Sequence, residues 1–262
     1  MTLVLPQKLP VRAFAERFQT EMKPLSEKFS FFSAGLKFNE EDEKEFIYDP
    51  VESLPPMVRE LLPDISIVLV PQLEAASEAN SAEVDVVLES APEETNDKSS
   101  KQRIWQNETQ LGNSIVLTFA VSGCDSGEYH YRLFHAIATK VAERAKPEFW
   151  KGYHELLRDE LRRKVHGEVD EDSWKAKDSL LAATLAPWRQ SRSFNHYARV
   201  SLIDSLTLYL HGLCCDIDVE PGPRQIQSRE LRKRLEWLYA NVGAPENYAI
   251  LPDQKRKNAS RQ

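Results

Sequence analysis

The 262-residue chain is poor in glycine, in cysteine and in long apolar runs. Its nine glycines form neither G-x-G-x-x-G nor G-x-x-x-x-G-K-[ST], which excludes the common phosphate-binding loops. No apolar run approaches the roughly 18 residues that cross a bilayer, so we expect no membrane contact. The three cysteines, two of them adjacent as Cys214 and Cys215, are too few for a disulfide framework. With no basic segment typical of a secretion signal at residues 1–8, the chain is predicted to be cytoplasmic.

Positive charge is also in deficit, with a formal net charge of -7. Residues 1–103 carry 20 acidic and 11 basic side chains, whereas residues 104–262 carry 21 and 23, which predicts two regions with different surfaces. Neither region has the concentrated basic face typical of nucleic-acid binding. The basic clusters at 158–164 and 229–234 are predicted to be solvated helix ends.

Apolar periodicity predicts an α+β fold. The N-terminal part, residues 1–123, is expected to hold short helices at 11–29 and 53–62 and a small mixed or antiparallel sheet. Pro24 is expected to end or kink the first of these helices. The strands of the sheet are predicted at 65–70, 84–88 and 114–121, where β-branched residues are frequent. Residues 89–102 are acidic and lack apolar periodicity, which predicts a mobile loop.

The C-terminal part, residues 124–262, is predicted to contain five helices. Their starts are expected near residues 127, 147, 172, 193 and 228. The fourth helix, about 193–213, is apolar nearly all round, which is typical of a helix at the centre of a domain. The two parts are predicted as separate regions, although one continuous domain also fits the pattern.

Candidate chemistry is concentrated in one window, because all six histidines and all three cysteines lie between Cys124 and Cys215. On the central helix, Asp204, Thr207 and His211 fall within about 60° of one another, and His196 lies on the adjoining sector. A buried carboxylate and a histidine on one face can act as an acid/base pair or as metal ligands. The alternative is a hydrogen-bonded network that determines helix packing.

Cys124 is the best nucleophile position in the sequence. It lies in a turn between the strand at 114–121 and the helix that follows, and His130 and His135 come soon after it. A helix N-terminus lowers the pKa of a thiol and favours the reactive thiolate. The alternative is that its Gly, Ser and Asp neighbours form an ordinary strand-to-helix turn.

The strand at 114–121 is followed first by the His135-bearing helix and later by the helix with Asp204 and His211. This layout, covering roughly residues 60–213, resembles that of zincin-type metallopeptidases. The resemblance implies a zinc-dependent hydrolase with His135, Asp204 and His211 as ligands and His130 or His196 nearby. The segment from His135 to Thr139 lacks the family's glutamate and second histidine, so an inactive relative also fits.

Two functional hypotheses follow from these patterns. The first is a non-catalytic interaction or regulatory protein that engages a protein partner and whose histidines and aspartates are structural. The second is a metal-dependent hydrolase, or an inactive relative, that uses the zincin-like layout. The incomplete motifs favour the first, and the pattern specifies neither a substrate nor an oligomeric state.

Overall fold

The computed structural model describes residues 8–75, 84–88, 104–215, 222–246 and 248. Helices and strands are mixed, and the predicted α+β class is confirmed. The chain divides into two compact units, Met1–Val51 with Pro63–Arg132 and Glu52–Leu62 with Leu133–Gln262. The acidic loop predicted at 89–102 lies outside the described residues.

Two sheets belong to the first unit. Their strands are β1 (Lys8–Pro10), β2 (Lys23–Pro24), β3 (Phe29–Ser33), β4 (Ile65–Val70), β5 (Gln72–Ala75), β6 (Val84–Val87), β7 (Gln106–Leu111) and β8 (Ser114–Ala120). The larger sheet has the order β2-β3-β4-β8-β7, with β3, β4 and β8 parallel and antiparallel strands at both edges. The smaller sheet, β1-β6-β5, is antiparallel. All of β4 is buried, as is typical of a central parallel strand.

The helices are α1 (Val11–Phe18), α2 (Glu40–Glu43), α3 (Asp49–Glu52), α4 (Pro56–Leu61), α5 (Ser126–Arg144), α6 (Pro147–Arg162), α7 (Glu171–Ala183), α8 (Arg192–Cys214) and α9 (Ser228–Val242). A 3₁₀ turn at Gln19–Glu21 follows α1, and a π-helical turn at Lys44–Tyr48 follows α2. The five helices predicted after residue 124 begin within two residues of the expected positions.

The helix predicted at 11–29 is shorter than expected and ends before Pro24, the residue predicted to end or kink it. Helix α1 ends at Phe18, and Lys23–Pro24 pairs with β3 as an extended strand. Pro24 has no N–H for a helix and disfavours helical geometry at Lys23. The apolar face of α1 is nevertheless buried, and Phe18 stacks on Phe32 of β3 with ring centroids 4.8 Å apart. The aromatic spacing therefore identified a core face but not the end of the helix.

In the second unit, α8 is the most deeply buried helix. Thirteen of its residues are buried, among them Phe194, Tyr197, Leu206 and Leu210. The residue before its first turn, the N-cap, is Ser191, whose hydroxyl accepts a hydrogen bond from the Phe194 N–H at 3.0 Å. The observed span Arg192–Cys214 confirms the helix predicted at about 193–213.

Candidate functional site

The predicted site residues are divided between the two units. His130 belongs to the first unit, where its ring Nε2 lies 2.9 Å from the carbonyl oxygen of Glu45 and its ring lies near Phe46 and Tyr129. His135, His196, Asp204 and His211 belong to the second unit. These contacts give His130 a role in packing within its own unit.

Three of the predicted residues line one cavity, which we call the histidine cleft. It has a volume of about 430 Å³ and is bounded by helices α5, α7 and α8. Its lining residues are His135, Asp172, Lys175, Ala176, Ser179, His196, Val200, Ile203 and Asp204. His211 is not among them, and its ring lies 6.0 Å from that of Phe134. The structure therefore brings together His135, His196 and Asp204.

Asp204 connects α8 to the first turn of α7. Its carboxylate Oδ2 accepts a hydrogen bond from the backbone N–H of Ser173 at 3.0 Å. That N–H is one of the amide groups that a helix leaves without an intrahelical partner. Burial raises the pKa of Asp204 to about 6, and the negative charges of Asp170 and Asp172 act in the same direction. Asp204 thus contributes to helix packing and also titrates close to neutrality.

His135 faces the same cleft from α5 and is half-buried. Burial lowers its pKa, and the nearby charges of Asp170 and Asp172 offset only part of that effect. The imidazole is therefore mainly neutral at pH 7, the form that can accept a proton or bind a metal. One cleft consequently holds a carboxyl whose pKa is raised and an imidazole whose pKa is lowered, both mainly through burial.

The spacing along α8 limits what these residues can hold together. His196 and Asp204 are eight residues apart, about 12 Å along a helix axis, and His211 lies a further 10 Å or so beyond. Zinc ligands bind at about 2 Å from the ion, so residues this far apart on one helix cannot share it. Within the described part of the second unit, no three His, Cys, Asp or Glu ligand atoms lie within 4.8 Å of one another. The cleft is therefore not a preformed three-ligand zinc site.

Cys124 lies in the first unit, in the turn after β8. Burial and the neighbouring Glu128 raise the pKa of its thiol, although the guanidinium of Arg132 donates a hydrogen bond to Sγ at 3.2 Å. A raised pKa keeps the sulfur protonated at neutral pH, whereas a nucleophilic cysteine needs the thiolate. The surroundings of Cys124 favour the structural alternative for this turn.

A second cavity of the second unit is mostly apolar, and we call it the tryptophan pocket. It has a volume of about 380 Å³. Its lining residues are Leu161, Lys164, Val165, His166, Gly167, Trp174, Lys177, Asp178, Leu181, Thr184, Leu185, Pro187 and Trp188. Leu181 and Leu185 are 49% and 99% exposed. No sequence pattern indicates this pocket, because Trp174 and Trp188 belong to different segments and only the tertiary structure places both at one cavity.

The base of the tryptophan pocket is anchored by a buried ion network. Lys177 pairs with Glu168 at 3.0 Å and donates a hydrogen bond to the Gly167 carbonyl at 2.8 Å. Glu168 also pairs with Arg234 at 2.7 Å, and Arg234 with Glu160 at 2.6 Å. The expectation that residues 229–234 form only a solvated helix end is therefore wrong for Arg234, which is 0% exposed.

The network keeps the Glu168 carboxylate ionised. Burial alone would raise the pKa of Glu168, but attraction and hydrogen bonds from Arg234, with the charge of Lys177, outweigh it and hold the pKa below its usual value. The hydroxyl of Tyr197 donates a further hydrogen bond to Glu168 at 2.6 Å. Arg234 and Glu168 are 66 residues apart, so local sequence patterns carry no signal for their pairing.

Known proteins provide no further guide to this site. No protein family, curated protein or solved structure matches the chain. No helix among the described residues is long and apolar enough to cross a membrane.

Proposed function

We propose that this protein is a non-catalytic interaction protein whose second unit binds an apolar side chain of a protein partner in the tryptophan pocket. The observation that carries the proposal is the pocket itself, which combines an apolar lining and two tryptophans with the exposed Leu185. Apolar pockets with a few polar groups are the usual form of binding sites. Apolar anchors set in such pockets supply much of the energy of protein interfaces.

A single exposed leucine is common on a protein surface. Here, however, two exposed leucines, Leu181 and Leu185, line the same cavity. Contiguous exposed apolar surface is typical of interaction sites. Its burial by a partner would contribute about 25 cal/mol for each Å² removed from water. This favours a protein partner over a nucleic acid, because the pocket lining carries only two lysines, Lys164 and Lys177, and Lys177 is already paired with Glu168.

The ion network gives the pocket a rigid base. Lys177 lines the pocket and is held by Glu168 and the Gly167 carbonyl, while Trp174 lies on the same helix. A binding surface that is already ordered loses less conformational entropy when a partner arrives. The arrangement therefore supports recognition of a defined apolar anchor.

The proposal also includes a cytoplasmic location. None of Cys124, Cys214 and Cys215 forms a disulfide, which agrees with a reducing compartment. Fractionation of the native host's cells, with detection of the untagged protein, tests this part directly.

Selection of a random peptide library on the immobilised protein tests the proposed function. We expect the selected peptides to share a leucine or aromatic anchor and to lose affinity for Leu181→Asp. Tyr239→Asp is the matched control, because Tyr239 is 39% exposed on α9 and does not line the pocket. Failure to select any peptide, or equal binding by both variants, would refute the proposal.

A second candidate, a metal-dependent hydrolase or an inactive relative, is favoured by one observation: His135, His196 and Asp204 line the same cleft. Zinc is the cofactor that the zincin-like layout implies, and the eight-residue spacing of His196 and Asp204 along α8 keeps these two from sharing one ion.

Zinc titration by calorimetry, with elemental analysis of untagged protein, tests this candidate. Stoichiometric zinc that is lost in both His135→Ala and Asp204→Asn would support it. No binding, or binding that persists in both variants, would exclude a site at the cleft.

A further inference from the structure

We infer that the partner of the tryptophan pocket is a second copy of this chain, bound about a two-fold axis. The inference rests on the proposed function and names the occupant of the same pocket. Three features of the pocket carry it: two charges of opposite sign, an exposed apolar side chain beside a cavity, and the fixed backbone at Lys164.

The two charges are Lys164 and Asp178. Both line the pocket and both are exposed, and neither has an ion-pair partner within the described ranges of the chain. The other charged pocket residue, Lys177, is already paired with Glu168. In a two-fold dimer every contact between two different residues occurs twice: if the first residue of one copy contacts the second residue of the other, the reverse contact also forms. Lys164 of each copy would therefore pair with Asp178 of the other, giving two ion pairs from one self-complementary surface.

The apolar part of the surface is self-complementary in the same way. Leu185 is 99% exposed and stands at the edge of a cavity of about 380 Å³. A protruding side chain adjacent to a cavity lets each copy insert its leucine into the pocket of the other. Burial of a leucine side chain is favourable, and the two tryptophans supply a large apolar contact area.

The position of Lys164 is determined by the end of α6. Its backbone is left-handed, with φ of 56°, and its N–H donates a hydrogen bond to the Leu161 carbonyl at 3.1 Å. The Val165 N–H closes the same turn on the Glu160 carbonyl at 3.0 Å. Glycine adopts this conformation at lower cost than lysine, yet the position carries a positive charge. The charge is thus presented from an ordered turn.

Sedimentation equilibrium from micromolar to near-millimolar protein tests the inference. We expect a monomer–dimer equilibrium that Leu185→Ser shifts toward monomer. Lys164→Glu and Asp178→Lys should each weaken dimerisation by about tenfold or more. Each substitution turns both of the proposed ion pairs between the copies into pairs of like charge. The double variant should recover most of the lost affinity, which happens only if the two residues meet across the interface.

Lys175→Glu is the matched control, since Lys175 is an exposed lysine on α7 that lines the histidine cleft and not the tryptophan pocket. It should leave dimerisation unchanged. Far-UV circular dichroism and urea unfolding check that every variant is folded. A monomer at all concentrations, or no recovery in the double variant, overturns the inference. The peptide selection separates the two proposals: a monomer that still binds leucine-anchored peptides retains the proposed function and loses only the self-association.

Discussion

The guanidinium of Arg234 lies between two buried carboxylates, Glu160 at 2.6 Å and Glu168 at 2.7 Å. Ions are costly to remove from water, so such a network is stable only when its charges and hydrogen bonds are matched. Here two positive groups, Arg234 and Lys177, face the two glutamates, and Ser201 accepts a further hydrogen bond from Arg234. These side-chain contacts connect helices α6, α8 and α9.

Arg234→Met should therefore reduce the free energy of unfolding by about 3 to 5 kcal/mol, because it leaves buried carboxylates short of a counter-charge. Urea unfolding followed by circular dichroism measures the loss. Arg232→Met on the same helix is the control: its partner Glu236 is also exposed, and such pairs contribute at most about 1 kcal/mol. Equal losses in the two variants would contradict a special role for Arg234.

The pKa of Asp204 is shifted in the opposite direction from that of Glu168 in the ion network. Its folded pKa of about 6 is above that of an unfolded aspartate, so the folded state binds a proton more tightly. Stability is therefore reduced as pH rises from about 4 through 6, by roughly 3 kcal/mol at about 1.4 kcal/mol per pKa unit.

Asp204→Asn should remove this pH dependence while keeping an oxygen that can accept the Ser173 hydrogen bond. Urea unfolding of the variant and the wild type at several pH values from 4 to 7 measures the difference. We expect the variant to gain relative stability as pH rises through 6. A constant difference across this range would show that Asp204 does not titrate there.

At the scale of elements, the helix starts are determined by local hydrogen bonds. Ser191 accepts from the Phe194 N–H before α8, and Asp170 accepts from the Glu171 N–H before α7. Serine and aspartate are preferred at these positions because their side chains satisfy amides that the first turn leaves unpaired. These starts were predictable because cap and helix are adjacent in the chain.

Ser191→Ala should cost about 1 kcal/mol of stability through the loss of this cap. Ser193→Ala, two residues later in the first turn of the same helix, should be neutral or slightly stabilising, because alanine has the higher helix propensity. Thermal unfolding of the two variants side by side measures the contrast. Similar melting temperatures would indicate that the Ser191 hydroxyl contributes little to α8.

At the scale of the whole molecule, acid should unfold the protein through its paired glutamates. Hydrogen bonds from Arg163 and Lys233 lower the pKa of Glu230 to about 2, and Glu168 is also lowered by its partners despite burial. A carboxylate with a depressed folded pKa adds stability above its unfolded pKa, and that stability is lost as pH falls through the folded value.

The melting temperature should consequently fall steeply between about pH 4.5 and pH 2. Scanning calorimetry at closely spaced pH values measures the decline. Glu230→Gln should be less stable than the wild type at pH 7 and should lose less on acidification. A variant whose acid decline matches that of the wild type would show that Glu230 is not a source of it.

The sequence by itself determined the α+β class, strands such as β4 and β8, and the buried helix α8. These features depend on the periodic spacing of apolar residues and on helix-capping residues, both of which act over a few neighbouring positions of the chain. The sequence predicted α1 too long, because the chain leaves the helix after Phe18 and Pro24 pairs with Ser30 of β3. Only the tertiary structure decided which distant residues come together. Glu168 pairs with Arg234, Asp204 accepts a hydrogen bond from Ser173, and Trp174 and Trp188 line one pocket. Periodicity identifies which face of a helix is apolar. The partner of a buried charge and the opposite wall of a cavity come from distant segments of the chain, and only the packing of those segments brings them together.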